Sequence, residues 1–174
     1  MKRKFWLWQL MGFSLVSLGG VLLHFLYDIT GGSVLVAPFS GVNESTWEHM
    51  KLLFWPMLLF AVIEAAFFRD RPDFWCIKLR GILLGLTLIP VIFYTYNGAV
   101  SKSPDWLNIA IFFVAAALGF VYEITLYNKK PPIFCRKGLA ALTLVALAAT
   151  FVVFSFAAPH LGIFRDPITG GYGI

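Results

Sequence analysis

Five apolar stretches constrain this chain more than any other feature. They run from about residue 5 to 27, 46 to 68, 79 to 96, 106 to 127 and 138 to 158. Crossing about 30 Å of hydrocarbon as a helix takes roughly 20 residues, and each stretch is close to that length. Inside lipid, backbone N–H and C=O groups must pair within the segment, which a helix does. The expected fold is an all-α membrane protein: a five-transmembrane-helix bundle, one integral membrane domain over residues 1–174. Residues 159–174 remain as a short hairpin-like tail. Only 13% of residues are charged and 59% are hydrophobic, whereas soluble domains are about a quarter charged. No room remains for a separate soluble domain. The net charge of +5 does not mark a nucleic-acid binder, because the basic residues sit in short loops between spans. The partner this composition implies is the lipid bilayer.

Local signals refine the layout. Lys2-Arg3-Lys4 before an apolar run resembles a signal peptide, but the run is too long and no A-x-A-like site follows. It is read as the first span. Residues from about 29 to 42 form a Gly-rich loop too short to span. Ser45-Thr46-Trp47-Glu48 has the form of a capping box, in which Ser45 takes a backbone N–H and Glu48 reaches back; Asn43 competes as a cap. Pro56 and Pro90 predict bends in the second and third spans. Gly81-x-x-x-Gly85 permits close helix contact, within the chain or in a helix-mediated homo-oligomer. In the tail, Asp166-Pro167-Ile168-Thr169-Gly170 is a turn sequence.

Five spans put the termini on opposite sides, and the Lys/Arg distribution orients them. With the N-terminus inside, Lys2, Arg3, Lys4, Arg69, Arg71, Lys78, Arg80, Lys129, Lys130, Arg136 and Lys137 are inner, while Lys51, Lys102 and Arg165 are outer. This predicts a cytoplasmic N-terminus and an external C-terminus. Cys76 and Cys135 then face the cytoplasm, where thiols stay reduced, so no disulfide is expected.

That orientation gathers polar residues on the outer face. His24, His49 and His160 fall at the outer ends of spans one, two and five, near Asp28, Asn43, Glu44, Glu48 and Lys51. Along the second span Glu44, Glu48, Lys51 and Trp55 recur on one face, and Lys51 lies at a depth where ionisable groups face a bundle interior or a wet cavity. The expected ligand-binding set is Asp28, Asn43, Glu44, Glu48, His49 and Lys51, in an outward pocket that binds or passes a small polar ligand or ion. The alternative is a metal-dependent membrane hydrolase, with a divalent metal on His24, His49 and His160 and a carboxylate. No H-E-x-x-H or similar metal spacing is present. A third reading makes the cluster a hydrogen-bonded plug. Two acids lie within spans near their inner ends, Glu64 and Glu123. They are expected to pair with Arg69, Arg71, Lys129 or Lys130, or to form the inner half of a proton or cation path.

The run Asn43-Glu-Ser-Thr-Trp-Glu-His-Met-Lys51 and the ending Phe164-Arg-Asp-Pro-Ile-Thr-Gly-Gly-Tyr-Gly-Ile174 resemble a family of small five-span bacterial integral membrane proteins of unknown function. The resemblance covers the whole chain. It implies a bacterial cytoplasmic membrane location and carries no catalytic residues across. A fainter likeness, to multi-span zinc-dependent amidases of the ceramidase and adiponectin-receptor type, implies the metal alternative, although this chain has five spans rather than seven and lacks their histidine spacings.

Overall fold

The computed structural model describes residues 2–68, 70–100, 104–130 and 132–174. It contains five long helices: α1 (Lys2–Ile29), α2 (Thr46–Phe68), α3 (Phe74–Val100), α4 (Asp105–Tyr127) and α5 (Lys137–Phe156). All five are long and apolar enough to cross a membrane. Among the described residues there is no strand; the tail adds a 3-10 turn, Gly162–Phe164, and one isolated bridge, Arg165 to Tyr172. Two ends can be told apart. The motif end carries Asn43–Lys51 and the tail. The basic end carries residues 70–73, 128–130 and 132–136. Lys2, Arg3, Arg69 and Lys102, which enter the charge count above, have side chains outside the described residues.

Half of the α2 span is buried, against 17% for α1 and 22% for α5. Helix α2 is therefore central, with the others around it. Leu7, Leu18 and Leu22 on α1, Leu59 and Val62 on α2, and Leu142 and Val145 on α5 are exposed. An apolar surface of that extent fits lipid rather than water. Small residues set how closely the helices approach. A Cβ at Gly81 would run into the Glu123 side chain, and one at Gly119 would lie 3.0 Å from the Gly81 carbonyl. The Gly81-x-x-x-Gly85 pair thus seats α3 against α4, the most extensive helix contact in the molecule. On α1, Gly12 receives the Phe60 ring and Gly20 the Phe112 ring.

Three sequence expectations need correction. Helix α3 starts at Phe74, not near residue 79, because the Asp73 carbonyl already accepts from Ile77 N at 3.0 Å. Lys78 is thereby drawn from a loop into a buried helical turn. Second, Cys76 and Cys135 form a disulfide, with Cα atoms 5.8 Å apart. The start of α3 and the linker before α5 meet at the basic end, and a compartment rule cannot see that meeting. Third, the capping box is only half made. Ser45 Oγ accepts from Glu48 N at 3.4 Å, but Glu48 turns to Val42 N at 3.0 Å, while Asn43 Oδ1 takes Ser45 N at 2.9 Å.

The basic end is tied by a second device. Asp73 pairs with Arg71 and accepts from Ile133 N at 2.9 Å, joining the two loops. The guanidinium of Arg71 also lies 4.2 Å from the Tyr127 ring centroid. Burial pushes the Asp73 carboxyl upward, but the hydrogen bonds from Arg71 and Ile133 outweigh it and hold it below the usual carboxylate range.

Candidate functional site

The residues of the outer-face expectation divide into two groups. Glu48 and Lys51, one helical turn apart on α2, are buried and paired, Nζ to Oε2 at 2.6 Å. The ammonium also donates to Ala37 O at 2.7 Å and to Ser155 Oγ at 2.8 Å. Trp55, on the next turn of the same face, donates to Pro38 O at 2.8 Å. This face of α2 therefore holds the 30–42 loop down and reaches across to α5. A buried ammonium with a carboxylate and two oxygen acceptors has its donors used. Neither Glu48 nor Lys51 lines either of the two clefts described below; their contacts are with each other, the loop and α5.

Glu44, His24 and His49 form the second group, and it faces a cavity. Glu44 precedes α2 rather than continuing its face. Its Oε2 lies 3.6 Å from His49 Nε2 and its Oε1 3.8 Å from His24 Nε2. The two imidazole centroids are 5.7 Å apart. His49 Nδ1 lies 2.9 Å from Ser45 O. A carbonyl only accepts, so Nδ1 carries the hydrogen, and in the neutral ring Nε2 presents its lone pair toward Glu44. Two adjoining clefts, of about 290 and 430 Å³, share Glu44, His49, Asn108, Phe112 and Ile168. One continues along α3 to Phe93 and Asn97; the other continues along α1 to His24 and Phe25.

The tail forms part of this wall. Asp166 Oδ1 accepts from Ile168 N at 2.9 Å and Oδ2 from Thr169 Oγ1 at 2.6 Å, closing the turn read in the sequence. Phe164 anchors the tail on Trp47, centroids 4.7 Å apart. Asn43 Nδ2 donates to Gly173 O at 3.2 Å, and Ile174 N donates to Ser155 O at 3.3 Å. Asn43 is thus a tail clamp. Ile168, at the turn's tip, reaches the clefts.

The remaining candidates lie elsewhere. Asp28 is exposed at the end of α1. His160 stacks on Tyr172, centroids 4.5 Å apart. Among the described residues no group of three His, Cys, Asp or Glu side chains is placed to hold a metal ion, so His24, His49 and His160 do not make a shared ligand set.

The two intramembrane acids converge. Glu64 of α2 and Glu123 of α4 both pair with Lys78 of α3. This replaces the expected pairing with Arg71, Lys129 or Lys130; Arg69 lies outside the described residues. Gln9 of α1 donates to Glu64 Oε1 at 2.6 Å and accepts from Lys78 at 3.4 Å. Reading Lys78 as a loop residue hid this cluster. The available signal was Gln9, an amide inside an apolar span. Asn108 and Ile168 were also missed, because cleft walls are assembled from separate helices.

One family model matches the chain, over residues 1–174; its description is "Family of unknown function (DUF6512)". No curated protein and no solved structure matches.

Proposed function

The chain belongs to this family of unknown function over its whole length, and from that premise, which supplies no activity, we propose a binding role argued from its own residues. The reading is a multi-pass protein of a bacterial cytoplasmic membrane, N-terminus inside, that binds or passes a small cationic or hydrogen-bond-donating solute at its outer face. The observation that carries it is the Glu44 carboxylate set against the His24 and His49 imidazoles at a cleft wall. When His49 is in its neutral form, with Nδ1 spent on Ser45 O, Nε2 and the carboxylate are two acceptors facing each other across 3.6 Å. A cation or an N–H donor placed between them satisfies both. Glu44 is 43% exposed and His49 25%, so a solute from water can reach them. Phe112, Phe113 and Ile168 supply the apolar walls that ligand pockets use around a few polar groups. The Lys/Arg count supports placing this end outside.

The site residues of the proposal are Glu44, His49 and His24, with Asn43 holding the tail over them. Glu48 and Lys51 support the frame. The test is thermal stability of purified protein against a panel of monovalent and divalent cations and small amines. At least one should stabilise the wild type saturably, and Glu44→Gln should lose that shift while remaining folded. The same shifts in both proteins, or none across the panel, would overturn the proposal.

A further inference from the structure

The Glu64–Lys78–Glu123–Gln9 cluster has a charge problem that its neighbours do not solve. All four residues are buried, none more than 1% exposed. Lys78 brings one positive charge to two carboxylates. Around it lie the rings of Phe5 and Phe60, centroids 5.7 Å from Nζ, and of Phe74 and Phe120 at 5.9 Å. From the packed elements, α1 contributes an amide, α2 and α4 one acid each, and α3 the lysine. The adjacent loop's Arg71 and Asp73 pair with each other. Fully ionised, the described cluster holds one net negative charge inside a phenyl-lined membrane interior, where an uncompensated charge is costly. Two carboxylates competing for one counter-charge do not both ionise.

We infer that this cluster is a binding site for a single proton, held by the carboxylate pair of Glu64 and Glu123. Lys78 pairs with both acids, at Glu64 Oε2 and at Glu123 Oε2. Gln9 donates to Glu64 Oε1, while the buried Glu64 Oε2 has no hydrogen-bond partner beyond the ion pair among the described residues. One proton on the pair makes the cluster neutral: an ammonium, one carboxylate and one carboxylic acid. Because the groups interact strongly, the proton titrates as a property of the pair. The inference does not depend on the cleft at the other end.

The test is infrared difference spectroscopy of the intact protein in lipid at neutral pH, reading the carbonyl stretch of protonated carboxylic acids and its deuterium shift. The wild type should show the acid band. Glu123→Gln should remove it, because Glu64 and Lys78 then balance. Glu64→Gln should also remove it, because Glu123 then pairs with Lys78 as a carboxylate. Retained thermal unfolding cooperativity establishes that each variant is folded. A wild type without the band would overturn the inference; that is the outcome if Arg69 or a bound monovalent cation supplies a second positive charge. A band that survives in both variants would overturn it too, since the proton would then belong to another acid.

Discussion

Replacing Lys51 with methionine removes the ammonium and keeps most of the side chain's volume. Three acceptors face that ammonium: Glu48 Oε2 at 2.6 Å, Ala37 O at 2.7 Å and Ser155 Oγ at 2.8 Å. Ser155 retains its bond to Phe151 O at 3.0 Å, so its loss is small. Glu48, 2% exposed, keeps its bond from Val42 N at 3.0 Å but loses its counter-charge. Breaking a buried pair by removing one partner costs about 3–5 kcal/mol, because an uncompensated charge is left. For a chain of this length each kcal/mol moves the unfolding midpoint by roughly 2–4 °C, so Lys51→Met should lower it by about 10 °C. The double variant Glu48→Gln/Lys51→Met removes both charges and should regain more than half of that loss, since neutral replacement of a buried pair is often nearly free. Thermal unfolding in nanodiscs at neutral pH, run as a double-mutant cycle, reads both numbers. A Lys51→Met midpoint within about 2 °C of wild type, or a double variant no better than Lys51→Met, would refute a structural role for the pair.

Asp73 gives a pH prediction. Its carboxyl is held below its ordinary value by Arg71 and Ile133 despite burial, so its contribution is present above the unfolded-state value near 4 and is lost as pH falls below it. Asp73→Asn should cost about 1–3 kcal/mol at neutral pH and flatten the acid limb of a stability–pH curve; an unchanged limb contradicts the assignment. The Cys76–Cys135 bond closes a sequence separation of 59 residues, and its removal by paired serine substitution should cost about 2–4 kcal/mol. A maleimide gel-shift assay on denatured protein should label both thiols only after reduction, and labelling of unreduced protein would show them free.

The spans were legible because each helix must be apolar along most of its length, and α2 begins and ends where its sequence pattern does. The Gly81–Gly85 contact and the Asp166 turn were likewise written locally. The buried charge cluster was not. It depended on where α3 begins, and the charged residues from Asp70 to Lys78 masked a helix start that only the packed loops reveal. The motif divided for a related reason. Helical spacing put Glu44, Glu48 and Lys51 on one face, but Asn43 takes Ser45 N and bends the chain before the helix, sending Glu44 to the histidines. The disulfide sets two rules against each other. Lys/Arg counts assign the basic end to the cytoplasm, whereas disulfides persist in oxidising compartments. Reporter fusions at the C-terminus decide between them.

Helix α5 is fastened mainly at its extremities. Near one end, Ser155 takes Lys51 and bonds Ile174; just before the other, Cys135 is bound to Cys76. Between them only Ala140, Leu144 and Phe151 are buried, a single narrow stripe. Such a helix can exchange most of its apolar side chains freely, yet its residue count is fixed. Deleting one residue would shorten it by about 1.5 Å and rotate one anchor by about 100° relative to the other. For this strut, evolution can rewrite the letters more readily than change how many there are.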